Sequence, residues 1–184
     1  MFSEVVDAHP LALAGVDAYA LDRRDDHRGW ETSAPQLPAR TSVGGARRIL
    51  VVRSNRGVLR GTYAHPCTDA QLSLVEGAAK LGVHDLRPAS PTYGRSLTLD
   101  LGDRHEFAAV RLPAGVAYAI WCTTATVHAL SSDRAIDPVD EYTCRWDDPG
   151  LGFSWQPADP VLSVRDALAG SLNAMRTSVA AAIG

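Results

Sequence analysis

Gly57-Val58-Leu59-Arg60-Gly61-Thr62-Tyr63-Ala64-His65 is the stretch on which the reading of this chain turns. Its Val58–Tyr63 core reads as a short strand between turn-forming residues. Upstream lie a strand over Ile49–Arg53 and a turn at Ser54-Asn55-Arg56-Gly57. Downstream the spacing predicts strands at Ala70–Glu76, Lys80–Leu86, Ser96–Leu101, Glu106–Leu112, Ala117–Thr123 and Thr126–Leu130. Gly and Pro punctuate them at intervals of about ten residues, which favours an all-β barrel or sandwich. Before residue 47, short apolar runs, the charge cluster Asp22 to Arg28 and the Pro/Gly/Ser-rich stretch Ser33 to Gly45 read as edge strands and long loops. Leu168, Leu172, Met175, Val179 and Ile183 fall at helical spacing, with Ser163 three residues before Asp166 as a capping signal. The expectation is one domain over 1–184: an N-terminal arm with edge strands at 1–46, a barrel at 47–160 and a single C-terminal helix at 163–184.

Composition narrows the functional classes. At 184 residues and 46% hydrophobic, the chain can bury a real core. A net charge of −3 gives no basic footprint for nucleic acid. No run approaches the about 18 apolar residues that span a bilayer, and the early acids Glu4 and Asp7 speak against a signal peptide. Cys67, Cys122 and Cys144 are an odd, scattered set, which suggests reduced thiols and a cytoplasmic protein. The arginine-rich, lysine-poor composition, with Lys80 as the only lysine, is attributed to a GC-rich genome before any function.

Five segments together carry a resemblance. Besides Gly57–Gly61 they are Asp26-His27-Arg28-Gly29-Trp30, Asp85-Leu86-Arg87-Pro88-Ala89-Ser90-Pro91-Thr92-Tyr93-Gly94, Trp146-Asp147-Asp148-Pro149 and Leu162-Ser163-Val164-Arg165-Asp166. In this order and spacing the chain, from about Gly15 to Asp166, resembles the dTDP-4-dehydrorhamnose 3,5-epimerase family. The resemblance implies a cupin-type double-stranded β-helix, a jelly roll, assembled as a homodimer. Much of the anchoring sequence also has a structural reading: Gly57, Gly61 and Gly94 suit turns, and Ser90-Pro91-Thr92 and Asp147-Asp148-Pro149 suit loops fixed by side-chain bonds.

The family's reaction is not simply inherited. Its His base, oriented by an Asp, removes a proton beside a sugar 4-keto group, and a Tyr reprotonates the opposite face. By the resemblance, the base position holds Tyr63, the orienting Asp falls at Leu81, and a Lys falls at Ala70. A second family His becomes Tyr118, and the acid Tyr falls near Ala129 or Leu130. Arg28 and Arg60 match arginines that meet the pyrophosphate, whereas a Gln-x-Asn pair becomes Arg48 and Leu50.

A free phenol with a pKa near 10 costs about 4 kcal/mol to ionise at pH 7, so Tyr63 is a poor base and a better neutral hydrogen-bond donor. Tyr63 and Tyr118 are therefore the expected catalytic donors, or else filler in space vacated by ligand contacts. Strand alternation puts Arg48, Leu50, Arg60, Leu72, Leu81, Tyr118, Ile120 and Ala129 in one lumen. An apolar lumen with a few cations fits a carbon-rich small molecule with one or two carbonyl or acidic groups.

A cupin metal site takes a His-x-His pair with a later Glu and His; His65, His84, His105 and His128 are isolated, so neither metal nor cofactor is expected. By the resemblance of the closing segment, Asp166, with Arg165, either approaches the pocket mouth or caps the helix. The reading favoured is a metal-free isomerase or cyclase of natural-product biosynthesis, acting by confinement and tyrosine hydrogen bonds on a small-molecule substrate. The alternative is a dTDP-4-keto-6-deoxysugar epimerase with a relocated base, or a non-catalytic sugar-nucleotide binder.

Overall fold

The computed structural model of the protein describes residues 8–33, 48–134 and 140–183. In chain order the strands are β1 (His9–Pro10), β2 (Asp17–Tyr19), β3 (Asp22–Asp26), β4 (Gly29–Ser33), β5 (Arg48–Ser54), β6 (Leu59–Ala64) and β7 (Ala70–Glu76). They continue with β8 (Ala78–Asp85), β9 (Ser96–Gly102), β10 (Ala109–Leu112), β11 (Val116–Cys122), β12 (Thr126–Ser132) and β13 (Tyr142–Thr143). Two helices follow, α1 (Val164–Ala167) and α2 (Leu172–Ile183).

The strands form a six-stranded sheet ordered β1-β2-β10-β7-β12-β5 and a five-stranded sheet ordered β13-β6-β11-β8-β9. Every pairing within them is antiparallel. This is a cupin-type jelly roll, as the strand spacing and the resemblance imply. β3 and β4 form a separate hairpin. The strand expected from Glu106 begins only at Ala109, because Gly102 to Phe107 closes a turn first, with Gly102 N–H donating to the Phe107 carbonyl at 3.1 Å.

Side-chain alternation gives each sheet one face toward the other. Between the sheets, Leu72, Leu74, Leu81, Val83, Val110 and Ile120 pack into one core. Full burial of each such side chain contributes about 1.5–3 kcal/mol. A second core lies behind the five-stranded sheet, where Ala64 of β6 and Ala117 of β11 meet Leu172, Met175 and Val179 of α2. Neighbouring residues on β6 and β11 therefore serve opposite ends of the design: Ala64 and Ala117 hold the helix, while Tyr63 and Tyr118 face inward.

The single helix expected over 163–184 is two helices. Ser163 does cap the first, its hydroxyl accepting from Asp166 N–H at 3.1 Å, but α1 lasts only four residues. Gly170 is a poor helix former, its carbonyl accepts from Arg145 N–H at 2.8 Å, and Ser171 caps anew by accepting from Ala174 N–H. Leu168 consequently lies outside the helical face and is 80% exposed. Of the five periodic positions, Leu172, Met175 and Val179 are the ones buried.

The sequence anchors are knotted by side-chain bonds. Asp85 accepts from the Arg87 backbone N–H and guanidinium and from the Ser90 and Thr92 hydroxyls, at 2.6–3.0 Å. Asp148 accepts from Gly150 N–H and Leu172 N–H at 3.0 and 2.9 Å, tying the Trp-Asp-Asp-Pro turn to the start of α2. These bonds give the anchors the loop-fixing role that their composition suggests.

Candidate functional site

A cavity of about 200 Å3 opens between the sheets, lined by Leu50, Val52, Arg60, Tyr63, Leu72, Tyr118, Ile120, His128, Leu130 and Arg165. A β-bulge builds its polar wall. Tyr118 pairs with Tyr63 and Ile120 with Arg60, so three steps along β6 match two along β11. Simple alternation would send Arg60 and Tyr63 to opposite faces; the bulge brings both to the cavity. Gly61 makes it possible: its φ is +109°, and a Cβ there would lie 2.8 Å from the Tyr118 carbonyl oxygen.

The two phenols meet edge to face, with ring centroids 5.9 Å apart. Their hydroxyls differ. Tyr63 donates to Asp166 Oδ2 at 3.0 Å, and that buried oxygen also accepts from Ser163 Oγ at 2.8 Å. Burial and the Asp166 charge push the Tyr63 phenol up to about 12. Burial, with Glu141 and Tyr63 beyond it, pushes Tyr118 well above the ordinary phenol range. The Tyr118 hydroxyl is hydrogen-bonded to no described residue and, unlike His128 Nδ1, is not fully buried, so it opens onto the cavity.

Cations frame the phenols. Arg60 Nε donates to Ser54 Oγ at 3.0 Å. The Arg165 guanidinium lies over the Tyr63 ring, 4.9 Å from its centroid, and forms an ion pair with Glu141. Opposite, on β12, His128 is 4% exposed and its Nδ1 has no partner. Burial and the nearby Arg60 charge lower its imidazole to about 4, so it is neutral at pH 7. His65 is buried next to Tyr118, with Nε2 3.6 Å from Glu141, and burial keeps it neutral too.

The structure thus brings together Tyr63, Tyr118, Arg60, Leu50, Leu72 and Ile120 from the expected set. Four expected residues lie elsewhere. Ala129 falls in the wrong phase of β12, whose inward positions are His128 and Leu130. Leu81 is fully buried in the core that supports the cavity and does not line it. Arg48 is exposed at the first position of β5, outside the lining. Arg28 stands in the β3–β4 turn, where it bonds Asp26 at 2.8–3.0 Å beside a different groove.

Sequence reasoning missed Val52 and His128 as lining residues and set Leu130 beside Ala129 only as an alternative acid position. The even positions of β5 and β12 carried the signal for all three. Arg165, offered with Asp166 at the pocket mouth on the resemblance, reaches the cavity through a tertiary contact that no local pattern reveals. Asp166, left open as pocket residue or cap, uses its backbone N–H in the Ser163 cap and its carboxylate to hold Tyr63.

Nothing among the described residues groups three or more His, Cys, Asp or Glu side chains as a metal site would, and no helix there is long and apolar enough to cross a membrane. The three cysteines are free.

Two antiparallel sheets around an apolar cavity with a few inward polar groups define a cupin-type jelly roll. The chain belongs to the dTDP-4-dehydrorhamnose 3,5-epimerase family, whose model matches residues 10–174. No curated protein matches it by sequence. It is similar in structure to the 4-keto-6-deoxy sugar epimerase NovW from the novobiocin gene cluster of Streptomyces spheroides, at 26% identity over 97% of this chain and 94% of that one, with a TM-score of 0.79. Its similarity to the 3'-monoepimerase ChmJ of Streptomyces bikiniensis, solved with dTDP-quinovose, is 28% identity over 93% and 91%, with a TM-score of 0.77. Likeness in fold alone extends to the RmlC epimerase of Mycobacterium tuberculosis, at 24% identity over 94% and 91% and a TM-score of 0.79.

Proposed function

We propose that the chain is an isomerase or cyclase built on the dTDP-sugar epimerase fold, acting without metal or redox cofactor on a carbon-rich, carbonyl-bearing small molecule. The observation that carries this reading is the Tyr118 hydroxyl: neutral, directed into an apolar cavity, and without a described protein partner. A buried phenol ordinarily finds an acceptor, and here a substrate carbonyl supplies it. Tyr63, already donating to Asp166, sets the neighbouring ring and presents its oxygen lone pairs. Arg60 and Arg165 receive an acidic group, and Leu50, Leu72, Ile120 and Leu130 hold the carbon skeleton. Confinement of this kind contributes to rate by orientation.

Natural-product biosynthesis is the proposed setting, supported by the likeness to an epimerase of the novobiocin cluster. A homodimer is proposed from the family resemblance. The exposed apolar residues Ile49 and Val51 on β5, the last strand of the six-stranded sheet among the described residues, support it. Light scattering should then give twice the 19.6 kDa chain mass.

The guanidinium pair also favours a second reading, a sugar-nucleotide epimerase with a relocated base or a non-catalytic binder of such a nucleotide. Ligand-observed NMR against keto acids, cyclic ketones and thymidine diphosphate separates the two. The first reading expects carbonyl compounds to bind without a nucleotide and to lose about tenfold or more in affinity in Tyr118→Phe, in line with the loss of one hydrogen bond. Binding of thymidine diphosphate alone, equal in wild type and Tyr118→Phe, would replace it with the second.

A further inference from the structure

A polarised carbonyl rearranges by proton transfer only if a proton acceptor stands near it. Among the lining residues, Arg60 and Arg165 are permanent cations, and Tyr63 and Tyr118 are phenols held neutral. The aliphatic lining offers no basic atom. His128 remains. It projects from β12 beside Val52 of β5 and Leu74 of β7, is 4% exposed, and forms no hydrogen bond with a described residue. Its buried Nδ1 is unpaired, a cost of about 1–3 kcal/mol that a ligand group bonded there would relieve.

We propose that His128 is the proton acceptor of this cavity, taking a proton from the carbon next to the carbonyl of a substrate whose anionic group is held by Arg60. The inference rests on the carbonyl-binding reading and extends it to a bond-breaking step. The C–H bond breaks, the proton passes to a ring nitrogen of His128, and the bonding pair forms a C=C bond while the carbonyl π pair moves onto oxygen. The Tyr118 O–H donates to that oxygen as its charge grows. Return of the proton from His128 to another position of the enolate on the same face completes an isomerisation with no oxidant or reductant.

Arg60 makes the acceptor conditional on substrate. In the empty cavity its charge, added to burial, opposes an imidazolium. Among the described lining residues the other charged or titratable groups are Tyr63 of β6, Tyr118 of β11 and Arg165 of α1, none of them negative at neutral pH; the carboxylates behind them, Asp166 and Glu141, are engaged by Tyr63 and Arg165. An incoming anion supplies the missing charge. Bound at Arg60, it removes the repulsion and favours the protonated ring, so the base strengthens as substrate arrives.

The test uses 2-oxobutanoate, a small keto acid with exchangeable C3 protons, in D2O near neutral pH. Wild-type protein is expected to exchange C3 protons above the buffer rate, and His128→Gln to exchange about 100-fold more slowly while still binding the probe. His128→Asn serves as the second variant should the first misfold. The NMR titration midpoint of His128 is expected to rise by about one pH unit or more at saturating probe, and to stay unmoved by probe in Arg60→Gln. Equal exchange by wild type and His128→Gln overturns the proposal and leaves the carbonyl reading standing. A probe that binds but neither exchanges nor moves the midpoint also overturns it, as does a probe that fails to bind. Probe affinity unchanged in Tyr118→Phe, with exchange still dependent on His128, instead counts against the carbonyl reading alone.

Discussion

His84 and His128 are both buried, neutral imidazoles lowered to about 4, yet their surroundings could hardly differ more. His84 sits at the edge of β8 facing α2, with Ser96 Oγ 2.7 Å from Nδ1 and Arg176 Nη2 3.0 Å from Nε2. Because the guanidinium can only donate, Nε2 accepts from it and Nδ1–H donates to Ser96. Every valence of that ring is used to fasten helix to sheet. His128 fastens nothing. A related contrast runs through the two faces of the five-stranded sheet: the outer face is sealed by α2, and the inner face turns Tyr118 toward the cavity, which His128 of the six-stranded sheet lines from the other side. An imidazole with both nitrogens bonded reads as structural, and a ring nitrogen left unpaired at a cavity reads as placed for a ligand.

The contrast is broken most forcefully from the sealed side. Leu172→Ala removes a side chain buried between α2 and the sheet. It should cost about 2–5 kcal/mol in urea unfolding, the range for cavities left in a packed core. The cavity's ligand affinity should be largely unaffected at temperatures where the variant stays folded. Equal loss of affinity and stability would show that the two faces are not separable.

Acid should reveal the two imidazoles together. Each has a folded pKa of about 4 below the ordinary 6.5, so the unfolded chain takes up the proton first. Stability is therefore intact above about pH 6.5 and falls as pH drops toward 4, by up to about 3 kcal/mol for each ring, from about 1.4 kcal/mol per unit of pKa difference. Denaturation at pH 7 and pH 5 checks this. His128→Asn should make the decline shallower, because one of the two rings no longer titrates, while leaving His84's share in place. An unchanged slope would contradict the account of His128 as a buried, neutral ring.

Tyr63→Phe probes the boundary between the regions and carries a smaller effect. The lost hydroxyl leaves the buried Asp166 carboxylate with its Ser163 bond and one fewer donor. A cost of about 1–2 kcal/mol in thermal or urea unfolding is expected, as for removal of one partner of a buried bond to a charged group.

Legibility in the sequence followed locality. The jelly roll was readable because its anchors are local devices: Asp85 binds residues within seven positions of itself, and Asp148 caps its own turn. The cavity's composition was readable from alternation on β5, β7 and β11, which places Leu50, Leu72, Tyr118 and Ile120 correctly. Alternation failed by one residue on β12, where Ala129 was taken for the inward position that His128 and Leu130 occupy. A phase error of one residue exchanges the faces of a strand, and no turn residue nearby fixed it. The resemblance placed Arg28 with Arg60 at one anion, whereas the hairpin holds Arg28 beside Asp26, outside this cavity. The resemblance offered Asp166, with Arg165, at the pocket mouth as one of two readings; local pattern could not choose, since only the tertiary fold returns α1 to β6. The break at Gly170 and Ser171 was visible as two poor helix residues, but the heptad-like spacing of the leucines across it argued for continuity.

Tyr118→Phe tests the central claim most directly, because it deletes one oxygen that no described residue bonds and leaves the packed ring in place. Two quantities are measured on the same variant: the melting temperature and the affinity for a carbonyl ligand found in the binding screen. The account predicts a melting temperature within about 2 °C of wild type, since surface-like or unbonded changes stay within about 0.5 kcal/mol, together with about tenfold or greater loss of affinity. A clear fall in melting temperature with affinity retained would contradict it, and would make Tyr118 part of the scaffold.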